Sequence, residues 1–92
     1  MIRSFTCPET EALANGEHVR RFANIALVAQ RKHRQLQIAG QLSDLRVPPG
    51  NRLEILKGDR RGQHSIRIND QWRICFRWTA AGAGDVEIVD YH

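Results

Sequence analysis

Ser65-Ile66-Arg67-Ile68-Asn69-Asp70-Gln71-Trp72-Arg73-Ile74-Cys75-Phe76-Arg77-Trp78 alternates apolar and polar side chains on both sides of a polar interruption. That is the pattern of a β-hairpin with one buried face. Burial also dictates register, because slipping a strand by one residue turns its apolar set outward. Ile66 and Ile68 share a face with Trp72, Ile74, Phe76 and Trp78 only if the connection has an odd number of residues, most simply Asn69-Asp70-Gln71. Ile66 then lies opposite Ile74, and Arg67 opposite Arg73. A two-residue Asn69-Asp70 turn would set Ile66 against Arg73 and spoil the core.

Working outward, Asp85–Tyr91 alternates in the same way and reads as the next strand. A five-residue loop, Ala80-Ala81-Gly82-Ala83-Gly84, places Trp78 against Val86 and Phe76 against Ile88. On the opposite face it places Arg77 beside Glu87, Cys75 beside Val89 and Arg73 beside Tyr91. Glu87 neutralises Arg77 in this register, whereas Arg67 and Arg73 have no acidic mate. An uncompensated arginine pair beside a tyrosine is the composition of a phosphate site. The strand runs into Asp90-Tyr91-His92, three side chains able to move protons, and imidazole titrates nearest neutral pH. The plain alternative is a solvated arginine face whose aliphatic stems cover apolar surface. Trp72, Phe76 and Trp78 fall on the apolar side and read as core rather than as base-stacking platforms.

Toward the N-terminus, residues 1–6 read as a short strand. Pro8 suits the first turn of a helix, Glu9 and Glu11 suit its positive end, and Asn15-Gly16 stop it. A second helix is expected over Arg21–Ala39, with Phe22, Ile25, Ala26, Ala29, Leu36 and Ala39 at helical spacing and Gly40 as a left-handed cap. Its other face carries Arg31, Lys32, Arg34 and Gln35, a solvated face or a docking surface. Leu45–Asn51 is a loop, and Leu53, Ile55 and Leu56 begin sheet structure. Lys57-Gly58-Asp59-Arg60-Arg61-Gly62 is a basic turn. Helices first and strands second indicate an α+β domain over residues 1–92, an antiparallel β-sheet with both helices on one face.

Composition narrows the function classes. Ninety-two residues are enough for one small core. No apolar run approaches the roughly 18 residues of a membrane span, and no signal-peptide core appears, so a cytoplasmic location is expected. Cys7 and Cys75 are too few for a disulfide framework and too isolated for zinc. His18, His33, His64 and His92 show no metal-ligand spacing. A net charge of +4 points to polyanions or an acidic protein partner.

Taken in order, Met1-Ile2-Arg3-Ser4-Phe5, Leu56-Lys57-Gly58-Asp59-Arg60 with Gly62, Ser65-Ile66, Trp72-Arg73-Ile74-Cys75-Phe76 and Asp90-Tyr91-His92 resemble the HigB-type toxins of the RelE/ParE superfamily. The resemblance implies a RelE-like sheet packed on two N-terminal helices. It also implies a ribosome-dependent endoribonuclease, an mRNA interferase that cuts translated mRNA and inhibits protein synthesis. Its partners would be the ribosome, mRNA and a helix-turn-helix antitoxin of the HigA type, with operator DNA reached only through the antitoxin complex and no membrane. That chemistry calls for no cofactor or metal. By resemblance, Asp90, Tyr91, His92 and Arg73 belong to the active site, with Lys57 a phosphate stabiliser. Arg60, Arg61, Arg67 and Arg77 supply further positive charge around it. One departure stands out: a well-known form of the family has a histidine in the strand before the Leu-Lys-Gly-Asp stretch, and Glu54 occupies that position here. Glu54 is therefore a candidate base, as is Asp90. A ParE-like toxin that inhibits gyrase without cutting RNA, and a non-catalytic basic RNA-binding module, are the competing expectations.

Overall fold

Asn69 organises the hairpin. Its Oδ1 accepts hydrogen bonds from the backbone N–H groups of Gln71 at 2.9 Å and Trp72 at 2.8 Å, the local bonding that makes asparagine a turn residue. The computed structural model describes residues 1–91. In it β2 (His64–Arg67) pairs antiparallel with β3 (Trp72–Thr79), Ile66 opposite Ile74 and Arg67 opposite Arg73. This is the register that burial demands. A two-residue β1 (Glu54–Ile55) pairs with β2, and β4 (Gly82–Asp90) with β3, giving a four-stranded antiparallel sheet in the order β1-β2-β3-β4.

The β3–β4 pairing departs from expectation. Thr79 lies opposite Gly82, so the turn is the two residues Ala80-Ala81 rather than a five-residue loop. The Thr79 hydroxyl accepts from the Ala81 N–H at 3.1 Å and donates to the Gly82 carbonyl at 3.1 Å. A bulge then interrupts the ladder, with Asp85 at φ 51°. Beyond it Ile74 faces Ile88, Cys75 faces Glu87 and Arg73 faces Val89. Arg73 is therefore not beside Tyr91 in the ladder, and Arg77 pairs with Gly84 instead of Glu87. An even turn plus one bulged residue shifts facing by the same parity as an odd loop. Val86 and Ile88 thus still point into the core, where both are buried.

Residues 1–6 form two isolated parallel bridges to β4, Ile2 to Ala83 and Phe5 to Val86, rather than a strand of the sheet. The approach is close enough that a Cβ on Gly82 would stand 2.0 Å from the Met1 carbonyl oxygen. Only glycine fits there.

Helix α1 (Pro8–Ala14) begins on Pro8 with Glu9 and Glu11 in its first turn, where they meet the positive end of the backbone dipole. The expected long second helix is divided. Arg20–Ile25 is a 3₁₀ segment with Phe22 off helical geometry, and α2 proper runs Ala26–Ile38. Val19, Phe22 and Ile25 are all buried; their spacing of three matches the eclipsed face of a 3₁₀ helix and not the 3.6 period. Gly40 is not a left-handed cap. Ala39 leaves the helix extended, and Asp44 Oδ2 accepts the Gly40 N–H at 2.9 Å. Both helices cover one face of the sheet, and Leu13, Phe22, Leu36, Ile66, Ile74 and Phe76 form the centre of the core. No helix of the described residues is long and apolar enough to cross a membrane.

Candidate active site

The face of the sheet away from the helices is organised by Arg73. Its position on β3, between inward-pointing Trp72 and Ile74, directs the side chain to this face. Neighbouring polar groups take up its donors. Nε donates to Ser65 Oγ at 2.7 Å, and Nη2 donates to the Arg52 carbonyl and, at 3.4 Å, to the Ser65 carbonyl. Nη1 lies 3.6 Å from Glu54 Oε1. Only 7% of Arg73 remains exposed, whereas more than half of the Glu54 side chain faces water. A guanidinium so buried is tolerated because its donors are satisfied. The pair consists of a fixed cation and an accessible carboxylate.

Tyr91, the residue after β4, joins the same patch. Its backbone N–H donates to the Gln71 carbonyl at 2.7 Å, and its hydroxyl reaches within 4.0 Å of Cys75 Sγ. Burial, then the neighbouring Cys75, push the phenol above its usual range, against the pull of Arg60 and Arg73. Burial likewise pushes the Cys75 thiol up, opposed by Arg60, Tyr91 and Arg73. Tyr91 is thus a protonated donor at neutral pH, and Cys75 a packing thiol rather than a nucleophile. Arg60 completes the patch, with Nη1 3.3 Å from Glu87 Oε1 and 3.1 Å from Gln63 Oε1.

Glu54, Arg60, Arg73 and Tyr91 are therefore brought together, though not by the expected register. The other candidates lie apart. Arg67 shares the face but pairs with Asp70. Arg77 lies beyond the bulge, its Nε 3.3 Å from Asp85 Oδ2. The expectation that Arg67 and Arg73 lack acidic mates is corrected: Asp70 and Glu54 supply them, and Glu87 neutralises Arg60 rather than Arg77. Lys57 and Arg61 are exposed on the turn around Gly58–Arg60. Asp90 lies opposite Trp72, hence on the helix side of the strand, and accepts from Gln71 Nε2 at 3.0 Å. His92 lies outside the described residues. Ser65 and the Arg52 carbonyl were not singled out as site groups from the sequence, and Glu87 was assigned to the wrong arginine; Ser65 was findable, since the hairpin register sets it on the Arg73 face. Among the described residues, no three His, Cys, Asp or Glu side chains converge as metal ligands.

With this geometry in hand, comparison with known proteins decides the family. Residues 14–92 match the model for the HigB-like toxin, described as the RelE-like toxin of the type II toxin–antitoxin system HigB. The chain belongs to the HigB-like toxin family. Among curated relatives, it is similar to toxin HigB-1 of Vibrio cholerae, with 52% identity over 48 residues covering 52% of this chain and 50% of the relative. An uncharacterised Haemophilus influenzae protein is 34% identical over 56 residues, 61% of this chain and 55% of the relative. The matched stretches thus span about half the length of these relatives. Two helices on a four-stranded antiparallel sheet agree with the α+β, RelE-like architecture expected of the family.

Proposed function

We propose that this HigB-family chain is a toxin that cuts mRNA during translation, and that the Glu54–Arg73 pair is the centre of its active site. The observation that carries this reading is the exposed Glu54 carboxylate 3.6 Å from Nη1 of a buried guanidinium whose Nε and Nη2 are anchored by hydrogen bonds to Ser65 and the Arg52 carbonyl. Cleavage of RNA without an added nucleophile needs a base for the 2′-hydroxyl proton, cations for the charge on the phosphorane, and an acid for the leaving oxygen. Glu54 takes the 2′ proton as the 2′-oxygen attacks phosphorus. Arg73, with Arg60 and Lys57, holds the phosphoryl oxygens. The bond to the 5′-oxygen breaks, that oxygen receives a proton, and a 2′,3′-cyclic phosphate and a 5′-hydroxyl result. His92 is assigned the second proton transfer on family resemblance, and Tyr91, held protonated by its surroundings, donates a hydrogen bond to the phosphate. The residue that replaces the family histidine thus takes over its role. The toxin acts in the cytoplasm on ribosome-bound mRNA, and a helix-turn-helix antitoxin neutralises it.

Induction in cells followed by mapping of mRNA 5′ ends tests the proposal. Cuts within translated codons are expected from the wild type, with Glu54→Gln lowering their frequency about 100-fold. Intact mRNA together with trapped gyrase–DNA complexes would show that the chain acts on gyrase instead.

A further inference from the structure

Beyond the Glu54–Arg73 patch, at the Arg67 end of β2, a cavity of about 260 Å³ is lined by three cations from two elements, Arg31 and Lys32 of α2 and Arg67 of β2, together with Pro48 and Gly50. Lys32 is held there by Asn51, whose Oδ1 accepts from its ammonium group. Asn51 is fully buried, and its Nδ2 donates to Gln35 Oε1 at 2.8 Å and to the Leu45 carbonyl at 3.1 Å. With the amide nitrogen committed to the protein, the carboxamide oxygen has a fixed direction, and so has the lysine. Among the described residues, no carboxylate lies within ion-pair distance of Arg31 or Lys32; Arg67 has Asp70, whose side chain is almost wholly in water. The crowding is felt, since Arg31 and Arg67 both add to burial in making a charge on Lys32 harder to hold. Like charges gathered around an open cavity and locked by a buried polar post are stabilised by an anion placed between them.

We infer that the Arg31–Lys32–Arg67 cavity is an anion subsite that takes a phosphodiester of single-stranded RNA. The identity of the anion rests on the nuclease reading above. Arg67 is the cross-strand partner of Arg73, so one wall of the subsite starts from the strand pair that carries the proposed cleavage centre, while Arg31 and Lys32 stand on the helix side. A strand carrying a charge at every nucleotide can run from one to the other, whereas a single acidic side chain of a protein fills one.

The test uses a short fluorescein-labelled RNA with 2′-O-methyl sugars, which binds but cannot be cut, titrated against the full chain over a range of salt concentrations. Lys32→Met is expected to weaken binding about fivefold and to lower the slope of log K against log salt by about 0.7, the signature of one lost phosphate contact on a single strand. Arg31→Gln, which leaves the Lys32–Asn51 bond intact, gives the same direction and decides the matter if Lys32→Met fails to fold by thermal melting. Wild-type affinity and slope in the folded variants would overturn the subsite, as would no binding of the oligonucleotide by the wild type. Unchanged RNA binding with lost binding of a poly-glutamate peptide would assign the cavity to an acidic protein and overturn it as well. Because the probe is uncleavable, the two readings fail separately: a slope change with intact cellular mRNA removes the nuclease and keeps the subsite, and cutting without a slope change does the reverse.

Discussion

Over Arg73–Phe76 both faces of β3 are hidden from water, yet they are closed by different physics. On the helix side Ile74 and Phe76 are fully buried by apolar contact with α2 and the segments around it. On the other side Cys75 and Ser65 are just as buried, but the cover there is Arg73 with its hydrogen bonds, flanked by the Tyr91 ring. Hydrophobic closure is nondirectional and tolerates small shifts. Polar closure depends on each donor keeping its acceptor, and a ligand bearing acceptors can compete for the same donors. The face that is easier to open is the face on which the chemistry is proposed.

Substitutions on each side should separate the two modes. Phe76→Ala, which empties the helix side, is expected to cost about 3–5 kcal/mol in urea denaturation. The helix side contains its own exception, His33, which is buried in α2 with neither ring nitrogen making a hydrogen bond of normal geometry. Burial lowers its pKa from 6.5 to about 4, with the Ala29 carbonyl working the other way. The folded pKa lies below the unfolded one, so the unfolded chain binds the proton first. The neutral imidazole's full contribution is present above about pH 6.5 and is lost as pH falls toward about 4, about 3 kcal/mol in all. Comparing wild type with His33→Leu at about pH 7 and about pH 4.5 isolates this term from the carboxylates; an acid sensitivity equal in both proteins would contradict it.

Smaller effects belong to the polar side. Arg73→Ala is expected to lower stability by about 1–3 kcal/mol, since Ser65 and the Arg52 carbonyl lose their donor, and also to abolish cutting. Activity lost with the denaturation midpoint unmoved would mean that Arg73 closes nothing. Least of all, Arg60→Ala breaks a half-exposed ion pair with Glu87 and should cost under about 1 kcal/mol, less still in high salt. A larger, salt-independent loss would show the polar side to be packed like the apolar one.

These contrasts also explain what could be read from the sequence. Ile66, Ile68, Ile74 and Phe76 had to share a face, so the β2–β3 register followed from alternation. Facing was equally legible for Val86 and Ile88, but their partners were not. A five-residue loop and a two-residue turn with a bulge at Asp85 give the same facing, and nothing in the alternation distinguishes them. The acids that pair with Arg73 and Arg77 come from β1 and from the bulge, so their roles depended on the pairings that were hidden. Tyr91 was placed on the correct face for an incorrect reason, since its ring leans toward Cys75 instead of lying across from Arg73. The second helix broke where Val19, Phe22 and Ile25 changed the period from 3.6 to three, and His33 filled the position on the buried stripe between Ala29 and Leu36 that was left blank.

The double duty proposed for Arg73, in structure and in cutting, has a genetic consequence. If bacteria are asked to survive expression of this gene, colonies will carry changes at Arg73 for two unrelated reasons, protein that never accumulates and protein that accumulates but is harmless. Survivors altered at Glu54, which is exposed and supports little of the sheet, will carry normal amounts of toxin. Protein level in each surviving colony, rather than survival itself, therefore tells which kind of failure was selected.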